Sequence, residues 1–128
     1  MAAVTIVIPV YNEGDNIRTT LAEIDAKVKV DAEVLLVYNR DDDTTVAPAR
    51  DLEGKTRVPF RLHRNKYGRG ALNAIKTGLE DAPGELVVVT MADLCDPPEV
   101  INAMVASAVE KNADVVCVSR YMKGERQH

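Results

Sequence analysis

Five short apolar runs rich in β-branched residues alternate with longer stretches of helical period, and this alternation restricts the fold more than any other feature. Strands that alternate with crossover helices build a parallel sheet, so the pattern predicts an α/β fold with a mostly parallel sheet and helices on both faces. In the fourth run, residues 86–89 are consecutively apolar, so we expect that strand to be covered on both faces and central. The predicted strands are residues 4–9, 33–38, 58–63, 85–91 and 114–119.

Four stretches of helical character connect these runs. The helix with the clearest sequence signals is the fourth, which begins at Asp96. Pro97 stands at its first helical position, and Glu99 completes a capping pattern. This pattern favours Asp96 as a helix cap over Asp96 as a ligand. The other helices are expected to begin near Asp15 or Asn16, to cover residues 47–52 and to run from about 70 to 79. Their apolar residues at helical spacing are Ile17, Leu21, Ile24 and Val28 in the first helix, Leu72, Ile75 and Leu79 in the third, and Ile101, Met104, Val105 and Ala108 facing inward in the fourth.

Length and composition fit a single domain over residues 1–128, with 46% hydrophobic and 28% charged residues. The net charge of -4 provides no basic field, so we expect no nucleic-acid partner. Cys95 and Cys117 lie far apart without metal-site spacing, which leaves a reducing, cytoplasmic setting as the default. The apolar stretch 4–10 contains Pro9 and is too short for a signal peptide or a membrane span, so we expect no transmembrane segment.

Every predicted strand leads into polar or charged side chains. In an open parallel sheet, ligands bind at the carboxyl ends of the strands, so these residues are the candidates for a site. A carboxylate could hold a metal, an aromatic ring could stack on a base, an amide could read a base edge and an arginine could bind phosphate. The residues that follow the strands are Tyr11, Asn12 and Glu13; Asn39; Arg64, Asn65 and Lys66; Asp93; and Arg120.

Five segments in this order resemble the family 2 glycosyltransferases, whose catalytic domain has the Rossmann-like GT-A fold. The likeness extends over essentially the whole chain and is greatest to the polyprenyl-phosphate sugar transferases, which include the dolichol-phosphate mannose synthases. The resemblance implies transfer of a sugar from a nucleoside-diphosphate sugar to an acceptor such as a polyprenyl phosphate. The segments are residues 5–13 (TIVIPVYNE), 33–45 (EVLLVYNRDDDTT), 65–73 (NKYGRGALN), 88–99 (VVTMADLCDPPE) and 115–124 (VVCVSRYMKG).

The resemblance also implies residue roles in donor binding. Pro9, Tyr11 and Glu13 would lie at the nucleoside and ribose end of the donor, and the backbone of Val37 and the side chain of Asn39 would lie at the base.

At the diphosphate end, Asp93 falls on the second acid of the family's Asp-x-Asp motif, with Ala92 beside it, and would bind a bridging Mg²⁺ or Mn²⁺. Arg120 would bind the phosphate or the sugar. Asp93 and Arg120 are therefore the expected catalytic residues, because a hard cation and an arginine both neutralise the charge that develops on the leaving diphosphate.

Three positions depart from the family pattern. Met91 stands where the first acid is expected, Cys95 where a Gln is frequent, and Asn39 where the second acid of the base-binding pair is expected, preceded by Tyr38. Asp93 is then the single expected protein carboxylate for the metal, which Mg²⁺ tolerates. Asn39 can still pair with a base edge, since its amide both donates and accepts, so the change affects base preference more than binding.

Several residues also have structural explanations. Glu13 could charge the start of the first helix, Tyr11 could wedge its loop, and Asp93 could be a solvated acid. Residues 41–43 read mostly as a solvated turn, although Asp43 and Thr45 align with family positions that brace the base loop. His63 is expected to be structural.

Two alternatives to an active transferase follow from the sequence. One is a receiver domain of a response regulator, whose acidic pair and phosphoacceptor the strand ends here do not supply. The other is a nucleotide-binding fragment without catalysis, because family members continue well beyond this length and supply the acceptor side there. We therefore expect an incomplete domain, with an open sheet edge that favours a homodimer and a location at the cytoplasmic face of a membrane through the acceptor.

Overall fold

The structure is a computed structural model that describes residues 4–68, 70–82, 86–90, 101–103, 105–106 and 115–117. Its sheet has five strands in the order β3-β2-β1-β4-β5, and all four neighbouring pairs are parallel. The predicted parallel α/β fold is confirmed, and β4 lies inside the sheet between β1 and β5 as its apolar run indicated. The strands are β1 (Val4–Pro9), β2 (Ala32–Tyr38), β3 (Phe60–Arg64), β4 (Leu86–Val89) and β5 (Val115–Cys117).

The third strand begins two residues later than the apolar run predicted. Pro59 has no N–H to give to a ladder, although its carbonyl accepts a hydrogen bond from the Val34 N–H at 2.9 Å. The Val58 N–H donates a hydrogen bond to the Asp25 carboxylate at 2.7 Å and is therefore not available to the sheet. Regular pairing therefore starts at Phe60, opposite Val34.

Helices cover both faces of the sheet. On one face, α1 (Ile17–Lys27) and α2 (Val46–Leu52) pack over the strands together with the helical residues 101–103 and 105–106. The predicted inward positions Ile101 and Val105 are buried there. The cap at Asp96 and the positions of Met104 and Ala108 lie outside the described residues. The core of this face contains Ile6, Ile8, Ile17, Leu21, Ile24, Val34, Leu36, Ile101 and Val105 among others.

The other face is covered by α3 (Ala71–Asp81), which packs through small residues. Gly78 lies so close to Val7 of β1 that an added Cβ would overlap the valine methyl groups. The helix packs on the sheet through the face formed by its small residues. Two of its large apolar residues, Leu72 and Leu79, are therefore exposed. The smaller core on this face is formed by Val7, Leu35, Val37, Ala74, Val87 and Val89.

The strand order creates a topological switch point beside β1. From β1 the chain continues to β2 on one side, and after β3 it returns to β4 on the other. In α/β sheets of this kind, the crevice for ligands opens where the strand order reverses, at the carboxyl ends of the strands. Among the described residues, no helix is long and apolar enough to cross a membrane.

Candidate functional site

The carboxyl ends of four strands are joined by backbone hydrogen bonds that bring their exits to one edge of the sheet. The Val10 N–H donates to the Val37 carbonyl at 3.0 Å, the Asn65 N–H to the Tyr38 carbonyl at 2.6 Å, and the Thr90 N–H to the Val7 carbonyl at 3.1 Å. The loops after β1, β2 and β3 therefore start side by side. This is the edge at which the sequence placed a ligand site.

Three consecutive backbone N–H groups after β1 are each accepted by a side chain that follows β2. The Asn12 N–H lies 3.0 Å from both carboxylate oxygens of Asp43. The Glu13 N–H donates to the Thr45 hydroxyl at 2.8 Å, and the Gly14 N–H to the Thr44 hydroxyl at 3.1 Å. We call this set of contacts, between residues 12–14 and residues 43–45, the loop clasp.

The clasp is also closed from the opposite direction. The Thr44 N–H donates to the side-chain oxygen of Asn12 at 3.1 Å. Within the loop after β2, the Thr45 N–H donates to Asp43 at 2.8 Å. Asn12 has a positive φ of 50°, a conformation that asparagine tolerates better than most residues. At Gly14 an added Cβ would lie 2.7 Å from the Thr44 carbonyl oxygen, so glycine is required by the close approach of the two loops.

The two predicted nucleoside residues of this loop have different environments. Tyr11 is 73% exposed, so its ring is available to a ligand and does not wedge the loop. Glu13 is half-buried, and its carboxylate accepts a hydrogen bond from the Asn16 side chain at 3.2 Å. The Glu13 carbonyl accepts the Asn16 and Ile17 N–H groups, so its backbone takes part in the turn that precedes α1. The first turn of α1 contains no acidic residue, so the helix-charging role of Glu13 and its ribose contact both remain predictions.

Pro9 and Val37 are buried side by side as register partners in β1 and β2. The Val37 carbonyl already accepts the Val10 N–H, and its side chain belongs to the core under α3. Any contribution of Val37 to a base is therefore limited to its backbone, as the resemblance implied.

Beside the half-buried Asn39, an open cleft of about 380 Å³ is lined by Arg40, Asp41, Asp42 and Arg64. Its charges are paired: Arg40 lies 3.0 Å from Asp42 in the same loop, and Arg64 at the end of β3 lies 3.1 Å from Asp41. The Arg40 guanidinium lowers the pKa of Asp42 by hydrogen bonding and charge. Sequence reasoning did not identify this cleft, because the pair of Arg64 and Asp41 joins the end of β3 to the loop after β2, and their approach depends on the pairing of these two strands.

The glycine-rich turn after β3 is anchored to α3 through buried polar contacts. The side-chain oxygen of Asn65 accepts hydrogen bonds from the Thr77 hydroxyl and the Tyr67 N–H, both at 3.0 Å. Thr77 in turn accepts the Lys66 N–H at 3.2 Å. Gly68 and Gly70 have positive φ values of 95° and 115°, which explains why glycine stands at both positions.

A charged cluster continues this anchor on the outside. Asp81 contacts Lys66 at 2.8 Å and His63 at 2.7 Å. The Lys66 ammonium, followed by His63, lowers the pKa of Asp81. Tyr67 donates its hydroxyl to Glu80, which raises the pKa of the tyrosine. His63 therefore lies in a contact that ties β3 to α3, consistent with the structural role expected for it.

The predicted diphosphate end lies outside the described residues. Asp93, Ala92 and Arg120 belong to it, as do the departures Met91 and Cys95. The described part of β4 ends beside β1, and Asp93 follows its last bonded residue, Thr90, by three positions in the sequence. Within the described ranges, no group of three or more His, Cys, Asp or Glu residues could hold a metal ion.

The mostly parallel sheet with helices on both faces is an α/β fold of the GT-A type. The family model for glycosyl transferase family 2 matches residues 5–127, and the chain belongs to this family. The receiver-domain alternative is thereby wrong.

Curated relatives include enzymes that act on lipid-linked phosphates. A dolichol-phosphate mannosyltransferase of Pyrococcus furiosus is 33% identical over 122 residues, which are 94% of this chain and 34% of the relative. An undecaprenyl-phosphate 4-deoxy-4-formamido-L-arabinose transferase of Pseudomonas fluorescens is 43% identical over 133 residues, covering 97% of this chain and 36% of the relative. The chain thus spans about a third of the length of these relatives.

Solved structures show the same fold. A mannosyltransferase from Pyrobaculum calidifontis, in complex with GDP-Man and Mn²⁺, matches with a TM-score of 0.62 and 31% identity over 72% of this chain and 28% of its own. S. aureus TarS in complex with UDP-GlcNAc matches with a TM-score of 0.64 and 19% identity over 84% of this chain and 31% of its own, a likeness of fold alone.

Proposed function

We propose that this chain forms the donor-binding part of a family 2 glycosyltransferase that transfers a sugar from a nucleoside-diphosphate sugar to a polyprenyl-phosphate acceptor. The observation that carries the proposal is the ligand edge of the sheet, where the loop clasp fixes the loop after β1 while Tyr11 stays exposed next to it. The two relatives, one a dolichol-phosphate mannosyltransferase and one an undecaprenyl-phosphate 4-deoxy-4-formamido-L-arabinose transferase, support the acceptor class.

At this edge, Tyr11 would stack on the base or ribose, and Asn39 would pair with the base edge. Pro9 and the Val37 backbone would form the floor below the nucleoside, and Glu13 would accept a ribose hydroxyl. An amide at position 39 can pair with uracil or with guanine, since it offers one donor and one acceptor group. Asn39 is therefore compatible with either UDP or GDP, and binding measurements with both nucleotides distinguish them.

The metal and the diphosphate would be held by Asp93, with Ala92 beside it and Arg120 on the phosphate or sugar side. A bound Mg²⁺ or Mn²⁺ would neutralise the charge on the departing diphosphate. A single carboxylate suits this role, because such cations commonly complete their coordination with phosphate oxygens and water. The Mn²⁺ in the Pyrobaculum complex supports a divalent cation.

A polyprenyl-phosphate acceptor would bring the protein to the cytoplasmic face of a membrane. Its phosphate is already an anion, so the need for a strong catalytic base is smaller than with a sugar hydroxyl. The main requirement is then the positioning of the two substrates.

Calorimetry with GDP and UDP, each with and without Mn²⁺, tests the donor site. We expect one nucleotide to bind and Mn²⁺ to strengthen its binding. Asp93→Ala should remove the metal dependence. Asp51→Ala, which removes an exposed carboxylate of α2 that pairs with Arg18 of α1, should preserve it. Lack of binding by either nucleotide would rule out the donor site, and a metal dependence that survives Asp93→Ala would assign the metal to other ligands.

A further inference from the structure

We infer that Arg64 is a specificity-determining residue for the donor base: its guanidinium reads the O6 and N7 edge of guanine in the cleft beside Asn39. The inference rests on the proposed function, because it concerns the base end of the same donor site. Arg64 has no role among those that the family resemblance implies.

Arg64 lies at the carboxyl end of the edge strand β3, next to the strand that leads into Asn39. It is the register partner of Tyr38, and the Asn65 N–H donates to the Tyr38 carbonyl at 2.6 Å. Its guanidinium reaches the loop after β2, where Nη1 lies 3.1 Å from Asp41. The side chain of Arg64 and the loop that begins at Asn39 therefore border the same open cleft of about 380 Å³.

The two arginines of the cleft differ in the N–H groups that they leave for a ligand. Arg40 directs both Nε and Nη2 at Asp42, at 3.0 and 3.3 Å, so one side of its guanidinium is occupied. Within the described part of the chain, Arg64 makes one side-chain hydrogen bond, from Nη1 to Asp41. A guanidinium carries five N–H donors, so Nε and Nη2 of Arg64 retain theirs for a bidentate contact. The side chain is 58% exposed, so a ligand can reach it.

Guanine is the base whose edge matches such a pair of donors. Its O6 and N7 are adjacent acceptors, and arginine binds them bidentately. Adenine carries an amino group in place of O6, and this group would face the N–H groups of Arg64 donor to donor. Uracil has a single acceptor, O4, on the corresponding edge. Arg64 therefore discriminates between bases that Asn39 alone accepts.

The charge of the cleft favours a neutral base over a phosphate. Two arginines and two aspartates line it, so their formal charges cancel, and the carboxylates of Asp41 and Asp42 would repel an anion. The pair with Asp41 also orients the Arg64 guanidinium before a ligand binds, which reduces the entropy that its ordering costs on binding. The cleft is thus suited to a base edge, while the diphosphate lies toward the end predicted for Asp93.

The first test compares nucleoside diphosphates on the unmodified chain, by calorimetry with Mn²⁺. We expect GDP to bind about tenfold more tightly than UDP or ADP, the discrimination that one bidentate arginine contact provides. 7-Deaza-GDP, which has a C–H in place of N7, should bind about fivefold more weakly than GDP, since it loses one hydrogen bond. UDP binding as tight as that of GDP, or equal Kd values for GDP and 7-deaza-GDP, would overturn the inference and leave the donor site intact. Failure of both GDP and UDP to bind would instead overturn the proposed function, and the inference with it.

The second test changes Arg64 itself. Arg64→Met retains an unbranched apolar side chain without donors, and Arg64→Lys retains the charge without the planar fork. We expect both to weaken GDP binding about tenfold while the Kd for UDP changes little, a selective loss that a merely structural role would not produce. GDP and 7-deaza-GDP should then bind Arg64→Met equally, because the substitution and the ligand change remove the same bond.

Arg61→Met is the matched control for these variants. It removes an exposed arginine of the same strand, which pairs with Glu33, and should leave the Kd values of GDP and UDP unchanged. An unchanged Kd for GDP in Arg64→Met, or equal losses for GDP and UDP in both Arg64 variants, would contradict a role in base recognition.

Discussion

Asp41, Asp42 and Asp43 are adjacent and chemically identical, yet they have two different roles. Asp41 and Asp42 are exposed and pair with Arg64 and Arg40 at the rim of the cleft. Asp43 is buried and holds the backbone of the neighbouring loop. The difference arises from the turn after β2, which directs one side chain inward, and residue type alone does not predict it.

Tyr11 offers the most accessible test at the level of a residue. Because the ring is 73% exposed, Tyr11→Ala should leave the free energy of unfolding within about 0.5 kcal/mol of wild type. It should weaken nucleotide binding about tenfold, since stacking of a base on an aromatic ring contributes on the order of 1–3 kcal/mol. Leu72→Ala, which removes an equally exposed apolar side chain on α3, is the control. An unchanged Kd for Tyr11→Ala would exclude Tyr11 from the nucleotide site.

Asp81 gives a prediction on acid stability. Lys66 and His63 lower the pKa of this carboxyl in the folded protein below its ordinary value of 3.8. A carboxyl with a lowered pKa stabilises the folded state above the unfolded pKa, and this contribution is lost as pH falls through the folded pKa. The difference in free energy of unfolding between wild type and Asp81→Asn should therefore shrink as pH falls below 3.8. Urea unfolding across this range measures it, and a difference that stays constant to pH 2 would contradict the assigned pair.

At the level of the elements, periodicity and propensity predicted which segments form strands and helices. The apolar runs gave all five strands, with ends that differ by a few residues where Pro59 or a loop bond interrupts pairing. Periodicity was less informative for α3, whose large apolar residues are exposed. Its contact with the sheet depends on Gly78, and a glycine carries no hydrophobic signal.

The packing of α3 can be tested by a pair of substitutions on the same helix. Gly78→Ala would force a methyl group into Val7, and overpacking of this kind costs about 1–3 kcal/mol. Leu72→Ala removes a much larger group, but from a side chain that is 81% exposed, and should cost less than about 0.5 kcal/mol. Denaturant unfolding measures both values. A larger cost at Leu72 than at Gly78 would mean that α3 lies on the sheet with a different face.

At the level of the whole molecule, the strand order explains why distant segments form one site. The loops after β1 and β2 are about 30 residues apart in sequence, as in the Asn12 to Asp43 contact, and parallel pairing brings them to the same edge. Sequence motifs located this edge and named Tyr11, Asn39 and the bracing residues Asp43 and Thr45. They could not give the reciprocal bonds of Asn12 and Thr44, because those depend on the exact register of two loops.

The predicted metal end of the site depends on residues outside the described part of the chain. Asp93 and Arg120 therefore remain sequence-based predictions, supported by the match of the family model over residues 5–127. The Asp93→Ala comparison with and without Mn²⁺ tests the predicted role of Asp93.

The central claim, that a nucleoside diphosphate binds at the ligand edge of the sheet, is tested most directly by mapping the bound nucleotide onto the backbone. The measurement is the change in amide chemical shifts on titration of GDP or UDP with Mg²⁺. We predict that the largest changes fall on residues 11–14 and 39–45, with little change across α2 and the exposed face of α3. Changes confined to those helices, or no change with either nucleotide, would contradict this account.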